Sequence, residues 1–159
     1  MTEIFLEVKY TEYQKSDTLP EADNQLIIKA RESAQNAYAP YSGFRVGAAV
    51  LLGNGAIITG NNQENAAYPS GLCAERVALF YAASQYPGVR VAAIAVSLYN
   101  PGSSDIAKPC GACRQVIAEY EDLANNPIRI ILDGNDRAII LNGIDQLLPF
   151  RFKKEDLSK

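Results

Sequence analysis

The chain has 159 residues, of which 48% are hydrophobic and 21% charged, a length and composition typical of one globular domain. Fifteen Lys and Arg residues against eighteen Asp and Glu residues leave a formal charge of -3, which disfavours a long nucleic acid as partner because such binding depends on neutralising phosphates. The chain has no histidine, which excludes Ser-His-Asp triads, Cys-His proteases and the H-E-x-x-H metalloprotease motif.

The amino-terminal segment predicts a strand. Residues 4–10 carry apolar side chains with a period of two, which is typical of either an edge strand or an ordered arm. Glu3 and Glu7 interrupt the apolar core that a signal peptide requires, and three cysteines are an odd number for a secreted disulfide scaffold. No stretch reaches the roughly eighteen uncharged apolar residues of a membrane span. We therefore expect a cytoplasmic protein.

The next part of the chain predicts a helix followed by a hairpin. Apolar side chains recur at helical spacing from residue 26 to residue 38, and Pro40 ends the predicted helix. Residues 44–52 have the composition of a strand, and Gly53-Asn54-Gly55 separates them from a second strand at residues 56–59. Because an Asn-Gly pair tolerates the positive φ angles of a tight turn, these two strands are predicted to be antiparallel.

The remaining elements alternate between helix and strand. Helices are predicted at residues 73–86 and 110–123, with a buried strand at residues 90–97 and a long loop at residues 99–109 between them. Two short strands follow at residues 128–132 and 137–141. Strands interleaved with helices predict an α/β sandwich built on one mixed sheet.

All three cysteines lie at predicted helix starts. Cys73 opens the second predicted helix, and Cys110 with Cys113 opens the third. A helix N-terminus carries unpaired N–H groups and a partial positive charge, which favour thiolate over thiol and therefore suit a metal ligand. Residues three apart share a helix face, so we expect Cys110 and Cys113 to bind one ion together, with Cys73 as the third ligand.

Three protein ligands without an evident fourth predict a catalytic zinc site, because the open coordination position admits water. Glu75, two residues after Cys73, is placed to act as a base towards that water. A Cys-x-x-Cys pair alone also occurs in redox motifs and structural zinc knuckles. However, a thioredoxin-like interpretation leaves Cys73 and Glu75 unexplained, and a structural knuckle lacks a fourth ligand. The combination favours a zinc-dependent hydrolytic reaction.

The spacing of these residues resembles the signature of the zinc-dependent deaminases, with cysteine where related enzymes have their first histidine. The resemblance is close to the small cytidine deaminases that act on free nucleosides, and it extends over roughly residues 25–157. The segments that carry it are Cys73-Ala74-Glu75-Arg76, Pro109-Cys110-Gly111-Ala112-Cys113-Arg114-Gln115, Tyr41-Ser42-Gly43-Phe44-Arg45-Val46-Gly47-Ala48, Asn62-Gln63-Glu64-Asn65-Ala66-Ala67-Tyr68-Pro69, Leu147-Leu148-Pro149 and Phe152.

This resemblance implies a fold, a cofactor and a proton-transfer residue. The fold would be an α/β three-layer sandwich with one mixed β-sheet of about five strands flanked by helices. Cys73, Cys110 and Cys113 would bind one Zn²⁺ per subunit. Glu75 would transfer protons between the activated water, ring N3 and the departing amine.

The same resemblance implies the substrate contacts. Phe44 would stack beside the base, and Asn62 and Glu64 would form hydrogen bonds with the ribose hydroxyls. The backbone near Cys73 and Ala74 would recognise the pyrimidine edge.

The resemblance also implies an assembly. Phe152, with Ala66 and Tyr68, would line the pocket of an adjacent subunit, since the family usually forms a homotetramer with shared sites. Residues 1–24 would then be an amino-terminal extension of unassigned role, ahead of a single catalytic domain at residues 25–159.

The charge of the expected metal site suggests a further residue. Three thiolates and one Zn²⁺ sum to a charge of -1, which reduces the ability of the metal to acidify water. Arg76 or Arg114 is placed to donate hydrogen bonds to the sulfurs and offset this charge. The resemblance favours Arg76.

These inferences predict a hydrolase that converts cytidine and 2'-deoxycytidine to uridine and 2'-deoxyuridine with release of ammonia, as in pyrimidine salvage. The Glu64 carboxylate would repel a 5'-phosphate, which favours the free nucleoside as substrate. One alternative is a deaminase of a cytosine-containing antibiotic such as blasticidin. Another is a non-catalytic zinc-binding protein of the same fold, which Glu75 disfavours. A deaminase acting on polynucleotides is disfavoured by the acidic composition.

Overall fold

A computed structural model describes residues 1–14, 17–99 and 106–157 of the chain. The strands and helices follow in the order that the sequence predicts. One short 3₁₀ helix lies before the second α-helix, at Tyr68–Ser70, and two follow the last strand, at Ile144–Gln146 and Lys154–Leu157. In chain order the elements are β1 (Thr11–Gln14), α1 (Glu21–Ala34), β2 (Val46–Leu52), β3 (Ile57–Asn61), α2 (Ala74–Gln85), β4 (Val91–Leu98), α3 (Gly111–Ala124), β5 (Arg129–Asp133) and β6 (Arg137–Asn142).

The described strands form one mixed sheet in the order β1-β6-β5-β4-β2-β3. β4 and β5 are parallel, whereas the other neighbouring pairs are antiparallel. The predicted mixed sheet is therefore confirmed, with six strands where about five were expected. β3, β4 and β5 point the same way, and α2 and α3 both begin at the end of the sheet where these strands finish.

The sheet lies between two helical layers, which confirms the predicted three-layer α/β sandwich. β4 shows the division, because Ala93 and Ala95 pack in the core under α1 while Ile94 and Val96 pack in the core under α2 and α3. Small side chains let α1 approach the sheet closely. A Cβ atom on Gly47 would lie 2.0 Å from the carbonyl oxygen of Ala30, so only glycine fits there.

Three expectations about element bounds need correction. The strand predicted at residues 4–10 is wrong, because residues 1–10 belong to no helix or strand and the pairing with β6 is made by residues 11–14. The first helix ends at Ala34, earlier than predicted, because Tyr38 forms a bridge with Gln63 beside the sheet. The helix also begins at Glu21, ahead of the predicted start. Most of the loop predicted at residues 99–109 lies outside the described residues.

Among the described residues, no helix is both long enough and apolar enough to cross a bilayer.

Candidate active site

The three cysteine sulfurs come together where α2 and α3 begin. Cys73 and Cys110 are the residues immediately before the two helices, and Cys113 is the third residue of α3. The Sγ atoms of Cys73 and Cys110 are 3.8 Å apart, those of Cys110 and Cys113 are 3.5 Å apart, and all three lie within 4.8 Å of one another. Tetrahedral Zn–S bonds of about 2.3 Å place sulfurs about 3.8 Å apart. The donor set and its spacing therefore fit zinc.

The sulfur cluster is strongly polarised. The pKa of the Cys73 thiol falls to about 5, because Cys113 donates a hydrogen bond to its sulfur and the Arg76 guanidinium adds a second donor and a positive charge. The pKa of Cys113 is raised, because its thiol gives its hydrogen bond to Cys73 and is buried. Cys73 is consequently a thiolate at neutral pH, which is the form that binds a metal.

Glu75 lies next to this cluster in the first turn of α2 and is only 3% exposed. Burial raises the pKa of its carboxyl above the ordinary value, and the charge on Cys73 adds to this effect. A buried carboxylate beside three thiols serves no packing purpose, since an apolar side chain would fill the same space at lower cost. Its position suits a group that accepts and returns a proton.

The structure distinguishes the two arginines that the sequence left as candidates for charge compensation. The Nη2 atom of Arg76 lies 3.7 Å from the Sγ atom of Cys73, on the same turn of α2. Arg114 instead donates to the backbone carbonyl oxygens of Pro109, at 3.0 Å, and Leu147, at 2.8 Å. Arg76 is therefore the arginine that faces a sulfur, whereas Arg114 anchors the loop before α3 to the carboxyl-terminal segment.

A cleft of about 400 Å³ opens beside Cys73 and Arg76. It includes three of the residues predicted to contact substrate, namely Asn62, Glu64 and Tyr68. The remaining lining residues are Tyr41, Ser42, Gln63, Asn65, Gly71 and Leu72. A volume of this size suits a small molecule.

Asn62 and Glu64 hold the loop that forms one wall of this cleft. The Asn62 side chain accepts a hydrogen bond from the Val46 N–H at 2.8 Å and donates to the Phe44 carbonyl oxygen at 2.9 Å. Glu64 accepts hydrogen bonds from the Ser42 hydroxyl and from the Tyr41 N–H, the latter at 2.9 Å. The hydrogen bond from Ser42, with that from Tyr41, lowers the pKa of the Glu64 carboxyl. Glu64 is therefore negatively charged at the mouth of the cleft.

The other predicted contact residues do not line the cleft in this chain. Phe44 and Phe152 are each 57% exposed, and Ala66 is also exposed. Ala74 is buried at the first position of α2. The carbonyl oxygen of Phe152 accepts a hydrogen bond from Gln115 of α3 at 2.8 Å, which ties the carboxyl-terminal segment to the helix that carries two of the cysteines.

Sequence analysis missed Tyr41 and Ser42 as parts of the site. Ser42 binds Glu64 through its hydroxyl, and the ring of Tyr41 meets that of Tyr68 edge to face, with centroids 6.4 Å apart. The signal was present in the Tyr41-Ser42-Gly43 turn, where Gly43 has a positive φ of 68° that brings the chain back towards β2. The local pattern does not reveal the contact, because Ser42 and Glu64 are 22 residues apart in the sequence.

Comparisons with known proteins agree on one family. A family model described as the cytidine and deoxycytidylate deaminase zinc-binding region matches residues 20–124. A cytidine deaminase of Sporosarcina psychrophila is 44% identical over 135 residues, covering 84% of this chain and 93% of that protein. One of Halalkalibacterium halodurans is 43% identical over 138 residues, covering 86% of this chain and 98% of that protein. The crystal structure of cytidine deaminase from Burkholderia pseudomallei is similar with a TM-score of 0.67 and 39% identity, covering 81% of this chain and 98% of that chain.

Proposed function

The chain belongs to the cytidine and deoxycytidylate deaminase family, and on that premise we propose that it hydrolyses cytidine and 2'-deoxycytidine to uridine and 2'-deoxyuridine with release of ammonia, using Glu75 to move the protons. The observation that carries the proposal is a buried carboxylate two residues from Cys73, beside three clustered sulfurs at the edge of a cleft of nucleoside size. The reaction is that of a zinc-dependent hydrolase in pyrimidine salvage.

Cys73, Cys110 and Cys113 are the residues that would hold one Zn²⁺ in each subunit, since their sulfurs match its preferred donors and spacing. When bound there, zinc supplies a Lewis acid that makes water nucleophilic at neutral pH. Arg76 draws negative charge away from the Cys73 sulfur, which offsets the excess charge of three thiolates.

Glu75 performs both proton transfers. It accepts a proton as water adds to C4 of the base, and delivers that proton to N3. It then takes the proton from the new hydroxyl group on C4 and passes it to the amino group, so that the C4–N bond breaks, the C4 carbonyl forms and ammonia leaves. Burial raises the pKa of its carboxyl, which makes the carboxylate a stronger proton acceptor than an exposed one.

The cleft provides the contacts for the nucleoside. Glu64 and Asn62, which line the cleft, would bind ribose hydroxyls, and the charge on Glu64 disfavours a 5'-phosphate. The backbone at Cys73 and Ala74 would recognise the base edge, because the first N–H groups of a helix have no partner within the helix. Phe44, whose carbonyl oxygen accepts a hydrogen bond from Asn62, would stack beside the base.

The exposed aromatic residues support an assembly with shared sites. Phe152, Tyr68 and Ala66 are exposed in the single chain, and we propose that they contact the substrate pocket of an adjacent subunit in a homotetramer. We also propose a cytoplasmic location, since a reducing compartment keeps three zinc-binding thiols free of disulfides. Residues 25–159 would form the catalytic domain and residues 1–24 an extension.

The two alternative functions are not favoured. The antibiotic deaminase is disfavoured because the similar proteins from Sporosarcina psychrophila, Halalkalibacterium halodurans and Burkholderia pseudomallei carry the name cytidine deaminase. A non-catalytic zinc protein would have no use for the buried carboxylate of Glu75. Turnover of blasticidin in place of cytidine would revive the first alternative.

The proposal is tested by the decrease in ultraviolet absorbance when zinc-loaded protein is mixed with cytidine. Glu75→Gln keeps the size of the side chain and removes its proton affinity, and it should lower kcat by about 10² to 10⁴ while zinc content stays at one per chain. Glu119→Gln, an exposed carboxylate on α3, is the matched control and should keep wild-type turnover. Full turnover in Glu75→Gln would remove Glu75 from its role, and zinc-loaded wild type without activity on cytidine would refute the proposed reaction.

A further inference from the structure

The first ten residues form an arm that lies outside the helices and strands and leaves its apolar side chains exposed. Ile4, Leu6, Val8 and Tyr10 are 84%, 58%, 51% and 56% exposed, and residues 1–10 belong to no helix or strand. Their period of two is nevertheless the pattern of a strand. The arm lies ahead of residue 20, where the match to the family model begins. Phe5, on the opposite face, is also 89% exposed. A strand pattern that leaves its apolar side chains exposed indicates a missing partner.

The arm leads directly into an open sheet edge. β1 begins at Thr11 and is the last strand of the sheet, with β6 on one side only. The N–H of Lys9 donates to the Gln146 side chain at 2.7 Å, which directs the arm onward from the end of β1. Arm and β1 together therefore form one continuous stretch of chain, residues 4–14, whose outer edge pairs with no other strand among the described residues. At its end, the Gln14 N–H donates to the Asp17 carboxylate and the Gln14 carbonyl oxygen accepts from the Asp17 N–H, so these two groups exchange partners when the edge pairs.

The charges of the arm are self-complementary. The Nζ atom of Lys9 lies 3.2 Å from the Oε2 atom of Glu7, so these two side chains share one face, and both are 77% exposed. If two arms run antiparallel with Val8 opposite Val8, Glu7 of each copy faces Lys9 of the other. In the same arrangement Leu6 faces Tyr10, so apolar side chains meet on the opposite face.

We propose that the arms of two copies of this chain pair as antiparallel strands about a two-fold axis through Val8, joining the two sheets edge to edge. In this register residues 2–5 of each arm cover residues 11–14 of the other copy, which is the whole open edge of β1. The occupant of the edge is therefore a second copy of the chain, in a symmetric interface.

Other registers satisfy fewer of these conditions. An axis between the two copies at residue 7 places Glu7 against Glu7, a like-charge pair that destabilises a strand pair. An axis at Leu6 opposes Glu3 and Lys9, but it then leaves most of the β1 edge uncovered. An axis at Lys9 places Lys9 against Lys9, and an axis at Tyr10 covers residues 11–14 but leaves Glu7 and Lys9 opposite uncharged residues. The axis at Val8 both matches the charges and covers residues 11–14.

This interface is separate from the tetramer contacts proposed for Phe152, and its test does not depend on activity. Strand partners directly opposite have Cα atoms about 4.5 to 5.5 Å apart, which a disulfide can bridge. Under mild oxidation the full-length Val8→Cys variant should form a covalent dimer, whereas Leu6→Cys, which faces Tyr10, should not. The wild-type chain controls for the native cysteines. Cross-linking at position 6, or none at position 8, would overturn the proposed register.

Charge reversal supplies a second, independent test. Analytical ultracentrifugation measures self-association of the full-length chain and of a variant that lacks residues 1–10, and the difference between them is the association that depends on the arm. Glu7→Lys places two Lys–Lys pairs across the axis and Lys9→Glu places two Glu–Glu pairs, so each variant alone should associate about tenfold more weakly. An equimolar mixture of the two should regain wild-type association, because every pair across the axis is then of opposite charge. A mixture no stronger than its components, or a deletion that leaves association unchanged, would overturn the proposal.

Discussion

Replacing Arg76 by glutamine tests how the site tolerates three thiolates around one divalent ion. Glutamine retains a hydrogen-bond donor but lacks the positive charge, so the substitution isolates electrostatics from packing. Since Arg76 contacts Cys73 from within the same helical turn, the change leaves the sulfur cluster itself in place. We expect the variant to bind zinc less tightly and to turn over more slowly.

The expected magnitude follows from the separation of 3.7 Å between the Nη2 atom of Arg76 and the Sγ atom of Cys73. Two unit charges at that distance attract each other by about 4.5 kcal/mol at an effective dielectric constant of about 20. Desolvation of the guanidinium and partial access of water reduce the net value to about 1.5 to 3 kcal/mol, which is typical of a hydrogen bond to a charged group. This corresponds to at least a tenfold rise in the zinc dissociation constant.

The assay is a competition titration of zinc with a chromophoric chelator, combined with kcat for cytidine from the ultraviolet absorbance. Arg76→Lys retains the charge on a single donor and should fall between wild type and Arg76→Gln. Arg137→Gln removes an equal charge at the far edge of the sheet, where Arg137 pairs with Glu12, and should leave both quantities unchanged. Wild-type zinc affinity together with wild-type kcat in Arg76→Gln would refute the electrostatic role.

Three further predictions concern substrate binding, the position of α2 and the support of α3. Glu64→Gln should raise KM for cytidine about tenfold with little effect on kcat, because it removes a charged acceptor at the sugar end of the cleft. An unchanged KM in steady-state kinetics would contradict the role of Glu64 in binding the sugar. Gly60→Ala places a Cβ atom 2.5 Å from the backbone nitrogen of Ala78, so it should destabilise the fold by about 1 to 3 kcal/mol and weaken zinc binding. In thermal unfolding, Gly111→Ala should be tolerated, because a Cβ atom at that position meets nothing within 4 Å. Glu121→Ala leaves the buried N–H groups of Ile128 and Ile144 without their carboxylate acceptor, and it should lower the free energy of unfolding by about 3 to 5 kcal/mol. Glu121→Gln should lower it by less. If urea titration gives the two variants equal free energies of unfolding, the supporting role of the carboxylate would be contradicted.

Most of the helices and strands were predictable because their signals are local. The continuous apolar run at residues 90–97 and the helical composition after the cysteines depend only on the side chains within each segment. The same holds for Cys110 and Cys113, whose spacing on one helix brings their sulfurs together. Glu75 was identified in the same way, because a carboxylate in the first turn after a cysteine follows directly from the order of the residues.

The tertiary structure decided everything that depends on a distant partner. Cys73 and Cys110 are 37 residues apart, and only the shared direction of β3 and β4 brings the starts of their helices together. The local pattern could not show whether Arg76 or Arg114 contacts a sulfur, because both follow a cysteine. Only the tertiary structure shows that Arg76 contacts Cys73 while Arg114 donates to the carbonyl oxygen of Pro109.

The amino-terminal strand shows the same limit. Its alternation predicted which side chains share a face, but the strand forms at residues 11–14, where β6 offers hydrogen-bonding partners. A strand exists only where another strand completes its hydrogen bonds, and that partner is set by the path of the whole chain. The sequence by itself thus determined the elements and the chemistry of the sulfur cluster, whereas the packing of the sheet decided which residues surround it.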